Sequence, residues 1–378
     1  MSVTPDFPDV SPPRRIAIFR ALQLGDMLCA VPALRALRRA WPDAHITLVG
    51  LPWATRFLER FPSLIDELVV FPGARGFPEQ AETDAGLPRF FSAMRECRFD
   101  LAIQMHGSGG PANDIVKQWG AAAYAGFRQP HEPPEAGFIA WPDDLPEPRR
   151  YLALVRALGI DADDDALWFP LTPHDRCEYA ALETRHGIEP ERLIVLHPGA
   201  QWPSRRWPAA RFAEVADALA AKGWQIAITG TSNEAAITAA VLGAMAAPAL
   251  HLTGSTTLGG LAALVSRARL VVCNDTGISH VAAAVQTPST VIASGSDTRR
   301  WAPLDGARHR VLADYPPCRP CAFRDCPYGH PCALNISVSS VVDAALDQLA
   351  HRARAHPAGE AVLHVRPPRP AKESRHAT

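Results

Sequence analysis

"RLVVCNDTGISHVAAAV" (residues 269–285) is the stretch on which the fold turns. Leu270, Val271 and Val272 form a short apolar run of β-formers that stops at Asn274-Asp275-Thr276-Gly277. Small residues at helical spacing follow, with His280 in the first turn. A run that is apolar at successive positions predicts a strand buried on both faces, as in parallel sheets. A helix starting at such a strand end presents unpaired N–H groups and a partial positive charge, which suits a phosphate.

Working outward, the same alternation recurs on both sides. Upstream lie strand "RLIVLHPG" (192–199), a helix over 208–223, strand "WQIAITG" (224–230), a helix from Asn233, strand "ALHLTG" (249–254) and a helix over 258–268. Downstream, "STVIASG" (289–295) is the last strand expected, and a helix over 337–353 closes this half or crosses back to the first. The first half shows strands at 15–21, 45–50, 67–73, 99–107 and, more weakly, 122–127, with helices between them. Apolar strands alternating with amphipathic helices predict an α/β protein with two doubly wound, Rossmann-like halves. The acidic, aperiodic "GIDADDDALWFPLTPHD" (159–175) is the expected linker. The domains expected are 15–165 and 166–353, with a disordered leader at 1–14 and a disordered tail at 354–378.

Composition narrows the function. The 378 residues are 47% apolar and 20% charged, ordinary for a globular enzyme, and the net charge is −1. That balance lacks the basic footprint of a nucleic-acid binder. The N-terminal stretch has no apolar region of the secretory kind, and no run is long enough to span a membrane. A cytoplasmic protein is expected, with its eight cysteines reduced or metal-bound rather than paired.

In doubly wound sheets, ligands sit beyond the carboxyl ends of the strands, so chemistry is sought in the turns there. In "NDTGISH", Thr276 and the N–H groups from Gly277 onward can hold a diphosphate, although Asp or Thr also serves as a plain helix cap. In "HPGAQWPSRRWP" (197–208), His197 and Gly199 form the turn, and Arg205 and Arg206 precede a helix entrance. That pair suits phosphate oxygens or is simply surface charge. In "TGTSNE" (229–234), Glu234 is placed for ribose hydroxyls, while Ser232 is also a good N-cap. In "LGD" (24–26), Asp26 can take a proton from a hydroxyl nucleophile or cap the helix that follows. "HGSGGPAND" (106–114) offers His106 and Ser108 for substrate, though a flexible loop explains its glycines equally well. Neither "TGTSNE" nor the first turn, "FRALQLGD", is GxGxxG, which counts against a nicotinamide dehydrogenase.

Taken in order, "RALQLGDMLCAVPALRAL", "LHPGAQWPSRRWPAARFAEVADAL", "TGTSNE", "LTGSTTLGGLAAL", "NDTGISHVAAA" and "GSDTRRWAPL" resemble the lipopolysaccharide heptosyltransferases, the family 9 glycosyltransferases. The resemblance spans roughly residues 15–350. It implies the GT-B fold, two Rossmann-like domains facing across a cleft, with a lipid-linked glycan acceptor on the N-terminal domain and ADP-heptose on the C-terminal one. It implies inverting transfer with no required cofactor. Asp26 falls on the family's general base, with Gly25 beside it on the acceptor side. Arg205 falls where the family usually has a diphosphate-binding Lys, and Asp275, Thr276, Gly277 and His280 fall on the group that holds the donor's phosphates and sugar. Glu234 falls near the ribose and Thr256 in the adenine-proximal loop. Leu22 and Gln23 replace the small hydroxyl residues that often precede the "GD" pair, which leaves the acceptor's identity open.

Two features stand apart. "CRPCAFRDCPYGHPC" places Cys318, Cys321, Cys326 and Cys332 in one loop (318–332), with the look of a compressed zinc knuckle or of reduced thiols. The cationic "RALRRAW" (35–41) is a candidate for transient contact with the inner face of the inner membrane, where a lipid-linked acceptor resides. A nucleotide-sugar epimerase of the same shape, a transferase of another donor, and a non-catalytic sugar-nucleotide binder are the alternatives.

Overall fold

The computed structural model describes residues 12–80 and 83–355. The expected leader and tail therefore lie almost wholly outside the described residues. The first lobe runs β1 (Arg15–Phe19), α1 (Leu24–Ala40), β2 (His45–Gly50), α2 (Ala54–Arg60), β3 (Glu67–Val70), α3 (Leu87–Glu96) and β4 (Leu101–Gln104). It continues with α4 (Pro111–Lys117), β5 (Ala123–Arg128), β6 (Phe138–Ala140) and α5 (Glu147–Ala157). The second lobe runs α6 (Pro173–His186), β7 (Leu193–His197), α7 (Ala209–Ala220), β8 (Gln225–Ile228), α8 (Ala235–Ala244), β9 (Leu250–His251) and α9 (Leu258–Arg267). Then follow β10 (Leu270–Asn274), α10 (Gly277–Ala284), β11 (Ser289–Ala293), α11 (Thr298–Trp301), β12 (His309–Ala313), α12 (Pro331–Leu334) and α13 (Val338–Ala355).

Each lobe holds a six-stranded sheet, in the orders β3-β2-β1-β4-β5-β6 and β12-β11-β10-β7-β8-β9. These are one topology written twice, and the paired strands within both sheets are parallel. The order reverses between β1 and β4 and again between β7 and β10, the two places where a doubly wound sheet opens a crevice. β4, β7, β10 and β11 are buried along their whole length, which is why their sequences do not alternate. Apolar clusters cover both faces of each sheet.

Two edge strands escaped the sequence reading. "STVIASG" is not the last strand, because β12 pairs alongside it. β12 is half exposed and flanked by charge, and β6 is three residues long, so neither carries a buried-strand pattern. α13 closes the second lobe, packing on α7 and on β10, β11 and β12. The expected linker also ends earlier: α6 opens at Pro173 with a capping box in which Thr172 and Asp175 exchange hydrogen bonds. Asp175 also binds Arg60 of α2, its Oδ1 2.9 Å from Nη2, so this carboxylate ties the lobes together.

The lobes meet along α1 and α10, whose Val281 and Ala284 join the first lobe's core. Both helices start at the carboxyl end of a central strand, so their N-termini face one another across the cleft. A Cβ on Gly25 would stand 2.8 Å from His280 Cδ2 and 3.5 Å from Gly277 Cα, so only glycine permits this approach.

Candidate active site

A cleft of about 710 Å³ lies between the lobes. Asp26 of α1 lines it, and facing it from the second lobe are Arg205, Asp275, Thr276, Gly277 and His280. The cap of α1 is Gln23, so Asp26 stands inside the first turn and is not the capping residue. Arg20 fixes the backbone there, donating to the Asp26 carbonyl through Nε at 3.2 Å and to the Met105 carbonyl through Nη1. Among the described residues the Asp26 carboxylate has no hydrogen-bond or ion-pair partner. Its pKa is raised, first by burial and also by Glu147, against the opposing pull of Arg20, His280 and Arg300. A carboxylate so placed is a better proton acceptor than an exposed one.

Arg205 stands at the end of a 3-10 turn (Pro203–Arg205) after β7. Its guanidinium donates to the Ser294 carbonyl at 3.1 Å and to the Cys321 carbonyl, and among the described residues it meets no carboxylate. A cation held by carbonyls and a neutral sulfur, with no carboxylate, keeps its charge available to an anion. Opposite it, Thr276 is the N-cap of α10 yet makes no capping bond with its side chain, so the first N–H groups of that helix open toward the cleft. Asp275 accepts from Ser296 Oγ at 2.5 Å, which ties the turn after β11 to the turn after β10. Asn274 is structural: its amide accepts from Trp207 N at 3.0 Å and donates to the Pro198 carbonyl at 2.8 Å, pinning the two loops of the switch point. His280 is buried, 3.7 Å from Cys29 Sγ through Nδ1, and burial lowers its pKa, which keeps it neutral.

His197, Gly199 and Glu234 form a second group beside the cleft, at the ends of β7 and β8. The His197 ring meets Thr229 Oγ1 at 3.1 Å through Nδ1 and lies 3.8 Å from Glu234 through Nε2. Burial lowers the pKa of His197 against the raising effect of Glu234. Glu234 closes a capping box on Thr231, taking its N–H at 2.8 Å. A Cβ on Gly199 would come within 2.0 Å of Glu234 Oε1, so the glycine makes room for that carboxylate. Thr256 lies in the loop before α9, outside the cleft lining, and its neighbour Thr257 supplies the helix cap.

A family model for glycosyltransferase family 9 (heptosyltransferase) matches residues 87–331. The chain belongs to this family. It is 27% identical over 306 residues to lipopolysaccharide heptosyltransferase 2 of Salmonella typhimurium strain LT2, covering 77% of this chain and 85% of that protein. It is 26% identical over 315 residues to the protein of the same name from Escherichia coli K12, with the same coverage of 77% and 85%. Among solved structures it resembles a family 9 glycosyl transferase from Veillonella parvula, at TM-score 0.73 and 24% identity over 89% of this chain and 98% of that one. It also resembles E. coli ADP-heptose lps heptosyltransferase II, at TM-score 0.67 and 20% identity over 90% and 99% of the two chains. The two parallel six-stranded sheets are thus those of the GT-B heptosyltransferase fold. Membership makes the chain a glycosyltransferase and sets the epimerase alternative aside.

Three groups of residues singled out in the sequence of this family 9 enzyme are engaged within the chain. His106 and Ser108 are not brought to the cleft. The His106 ring stacks on Phe19 at 5.0 Å, its Nδ1 accepts from Ala21 N at 3.2 Å, and burial pushes its pKa down to about 3. Ser108 Oγ is taken by Gln129 Nε2 at 2.6 Å, because the glycine-rich loop folds back over the ends of β4 and β5. Among the described residues no three His, Cys, Asp or Glu side chains converge to hold a metal ion, those of the cysteine loop included. The loop that carries Cys318, Cys321, Cys326 and Cys332 braces the Arg205 turn. Ser204 donates through Oγ to the Phe323 carbonyl at 2.5 Å and through its N–H to the Arg324 carbonyl at 3.0 Å, and His330 Nε2 donates to the Ser204 carbonyl at 2.9 Å. Cys321 N donates to the Gly295 carbonyl at 2.9 Å.

The arginines of "RALRRAW" also make contacts within the chain. Arg35 pairs with Asp164 at 2.8 Å, Arg38 with Asp66 at 2.6 Å, and Arg39 donates to the Asp161 carbonyl at 3.0 Å. Arg35 and Arg39 fasten α1 to the segment that leads into the second lobe, and Arg38 fastens it to the start of β3. Among the described residues no helix is long and apolar enough to cross a membrane.

Sequence reasoning missed Arg300, Trp301, Trp141 and Arg150, all of which line the cleft, and Glu147 behind them. A signal existed for the first two. "GSDTRRW" follows a buried strand as the other site turns do, and carries two arginines.

Proposed function

We propose that this enzyme transfers heptose from ADP-heptose to a lipopolysaccharide-core acceptor, with inversion at the anomeric carbon. The observation that carries this is the shared cleft: an unpartnered carboxylate on the first lobe faces a helix N-terminus and an unpaired arginine on the second. Residues 166–353 hold the donor in this reading. Arg205, Thr276 and the N–H groups from Gly277 take the diphosphate, Asp275 and His280 face the sugar, Glu234 and Gly199 with His197 flank the ribose, and Thr256 lies toward the adenine. Residues 15–165 hold the acceptor, with Gly25 allowing it close to the base.

Asp26 removes the proton from an acceptor hydroxyl as that oxygen bonds to the anomeric carbon. The bond from that carbon to the diphosphate oxygen breaks, and ADP leaves carrying the electron pair. Arg205 and the positive end of α10 stabilise the charge growing on the leaving oxygen, where preorganised donors lower the barrier most. The names of the curated relatives support the heptose and the lipopolysaccharide acceptor, and such an acceptor supports work at the cytoplasmic face of the inner membrane.

Donor identity is tested by thermal shift against ADP, UDP and GDP, followed by mass spectrometry of a heptose-deficient core acceptor after incubation with ADP-heptose. A ligand at about 100-fold its Kd stabilises by about 2.7 kcal/mol. ADP is expected to give the largest shift, and ADP-heptose a mass gain of one heptose. A clear response to UDP with none to ADP overturns the donor assignment.

A further inference from the structure

Behind the base stands an ionic cluster that the transfer reaction does not use. Glu147, the first residue of α5, is 0% exposed, and burial of an unpaired carboxylate is strongly unfavourable. Its partners come from both lobes. Tyr151 donates to it from the same helix, and Arg150 Nη1 stands at 3.4 Å. Arg300 of α11, from the second lobe, grips both oxygens, with Nε at 2.6 Å from Oε2 and Nη2 at 3.1 Å from Oε1. The Arg300 guanidinium lies against Trp301 at 4.5 Å and against Trp141 of the first lobe at 5.5 Å.

The placement of this pair links it to both halves of the site. Arg300 follows closely on the Ser294–Ser296 turn, where Ser294 holds Arg205 and Ser296 holds Asp275. Glu147 begins α5, which packs along α1, the helix that carries Asp26. A buried ion pair is a poor way to gain stability compared with apolar packing, but it fixes register between two surfaces.

We propose that Glu147 and Arg300 form an interlobe latch that positions Asp26 over the donor and, by their opposite charges, sets its basicity. This rests on Asp26 being the base. The groups facing Asp26 are Arg20 after β1, Cys29 on its own helix, Glu147 on α5, His280 on α10 and Arg300 on α11. Tyr151 of α5 faces Arg20 and Glu147, and Asp275 after β10 faces His280. Burial pushes Cys29 and Tyr151 up and His280 down, so all three are neutral near pH 7. Glu147 raises the pKa of Asp26 and Arg300 lowers it.

The test uses full-length protein labelled at the aspartate carboxyl carbons, with the Asp26 resonance identified by its loss in Asp26→Asn. Glu147→Gln is expected to lower the titration midpoint of Asp26 and Arg300→Gln to raise it, since the two remove charges of opposite sign from beside the carboxylate. Both variants are expected to show a larger radius of gyration in small-angle X-ray scattering as the lobes part. Arg300→Lys, the gentler change, keeps the charge and loses the two-point grip. It is expected to leave the midpoint in place while the radius still grows. Midpoints in the Gln variants that stay fixed or move the same way overturn the latch, as does an unchanged radius in all three. Turnover retained by Asp26→Asn would instead sink the base assignment, and the titration and scattering would still be readable.

Discussion

Gly295→Ala tests whether Arg205 binds the donor, without touching the arginine itself. Gly295 sits at φ +69°, a left-handed conformation that costs about 1 kcal/mol for alanine. A Cβ there would lie 1.9 Å from Arg205 Nη1 and 3.1 Å from Cys321 Sγ. To regain ordinary contact the guanidinium must retreat by about 1.5 Å, which breaks its bond to the Ser294 carbonyl. Hydrogen bonds from a charged group contribute about 1.5–3 kcal/mol each, less where solvent reaches them, so the total loss is about 2–4 kcal/mol. For a lobe of this size that lowers Tm by about 5–10 °C. Withdrawing the cation from a diphosphate weakens ADP binding about 10- to 100-fold. Scanning fluorimetry and calorimetric titration with ADP measure both. Gly306→Ala is the control, since its Cβ would enter open space, and it is expected to change neither. Wild-type ADP affinity in Gly295→Ala would refute the diphosphate role of Arg205.

Asp26→Asn is expected to cut turnover about 10²- to 10⁴-fold, the usual contribution of a general base. Because burial raises the Asp26 pKa, its ionised form opposes folding at neutral pH. The stability it contributes belongs to acid pH and is lost as pH rises through the raised value. Tm of Asp26→Asn at pH 7–8 should therefore equal or exceed that of the wild type, and a fall of more than about 5 °C would contradict the reading. The pH–rate profile should lose activity on the acid side above the ordinary carboxylate range, and a profile flat down to pH 4 would remove Asp26 as the titrating base. Gly25→Ala places a methyl 2.8 Å from His280 Cδ2 and should part α1 from α10. Turnover is expected to fall about 10- to 100-fold from misplacement of the base, with ADP affinity within about 2-fold of wild type. Equal losses in both would show that Gly25 serves donor binding instead.

The doubly wound architecture was legible because its signal is local. A parallel strand buried on both faces must be apolar at successive positions, and the turn after it must be small and polar if a helix is to start there. "LVVCN" followed by "DTGISH", and "IAIF" followed by "LGD", declare both features within a dozen residues. The same locality limited the reading of individual side chains. Asp26 looked like either a base or a cap, and only the placement of Gln23 as the cap of α1 removed the second reading. His106 looked like a substrate contact, yet the packing of Phe19 against it made it a neutral ring behind the strand.

What the sequence alone determined, then, was which turns lie at strand ends and which polar groups those turns carry. The tertiary structure decided which turns share a space. Asp26 and Gly277 are far apart along the chain, and they meet because Gly25 lets α1 and α10 approach end to end. The cysteine loop braces the Arg205 turn, through Cys321, Phe323, Arg324 and His330. Glu147 and Arg300, each unremarkable in its own segment, form a pair only because the lobes close on one another. Contacts between distant segments depend on how whole surfaces fit, and no short-range periodicity encodes that fit.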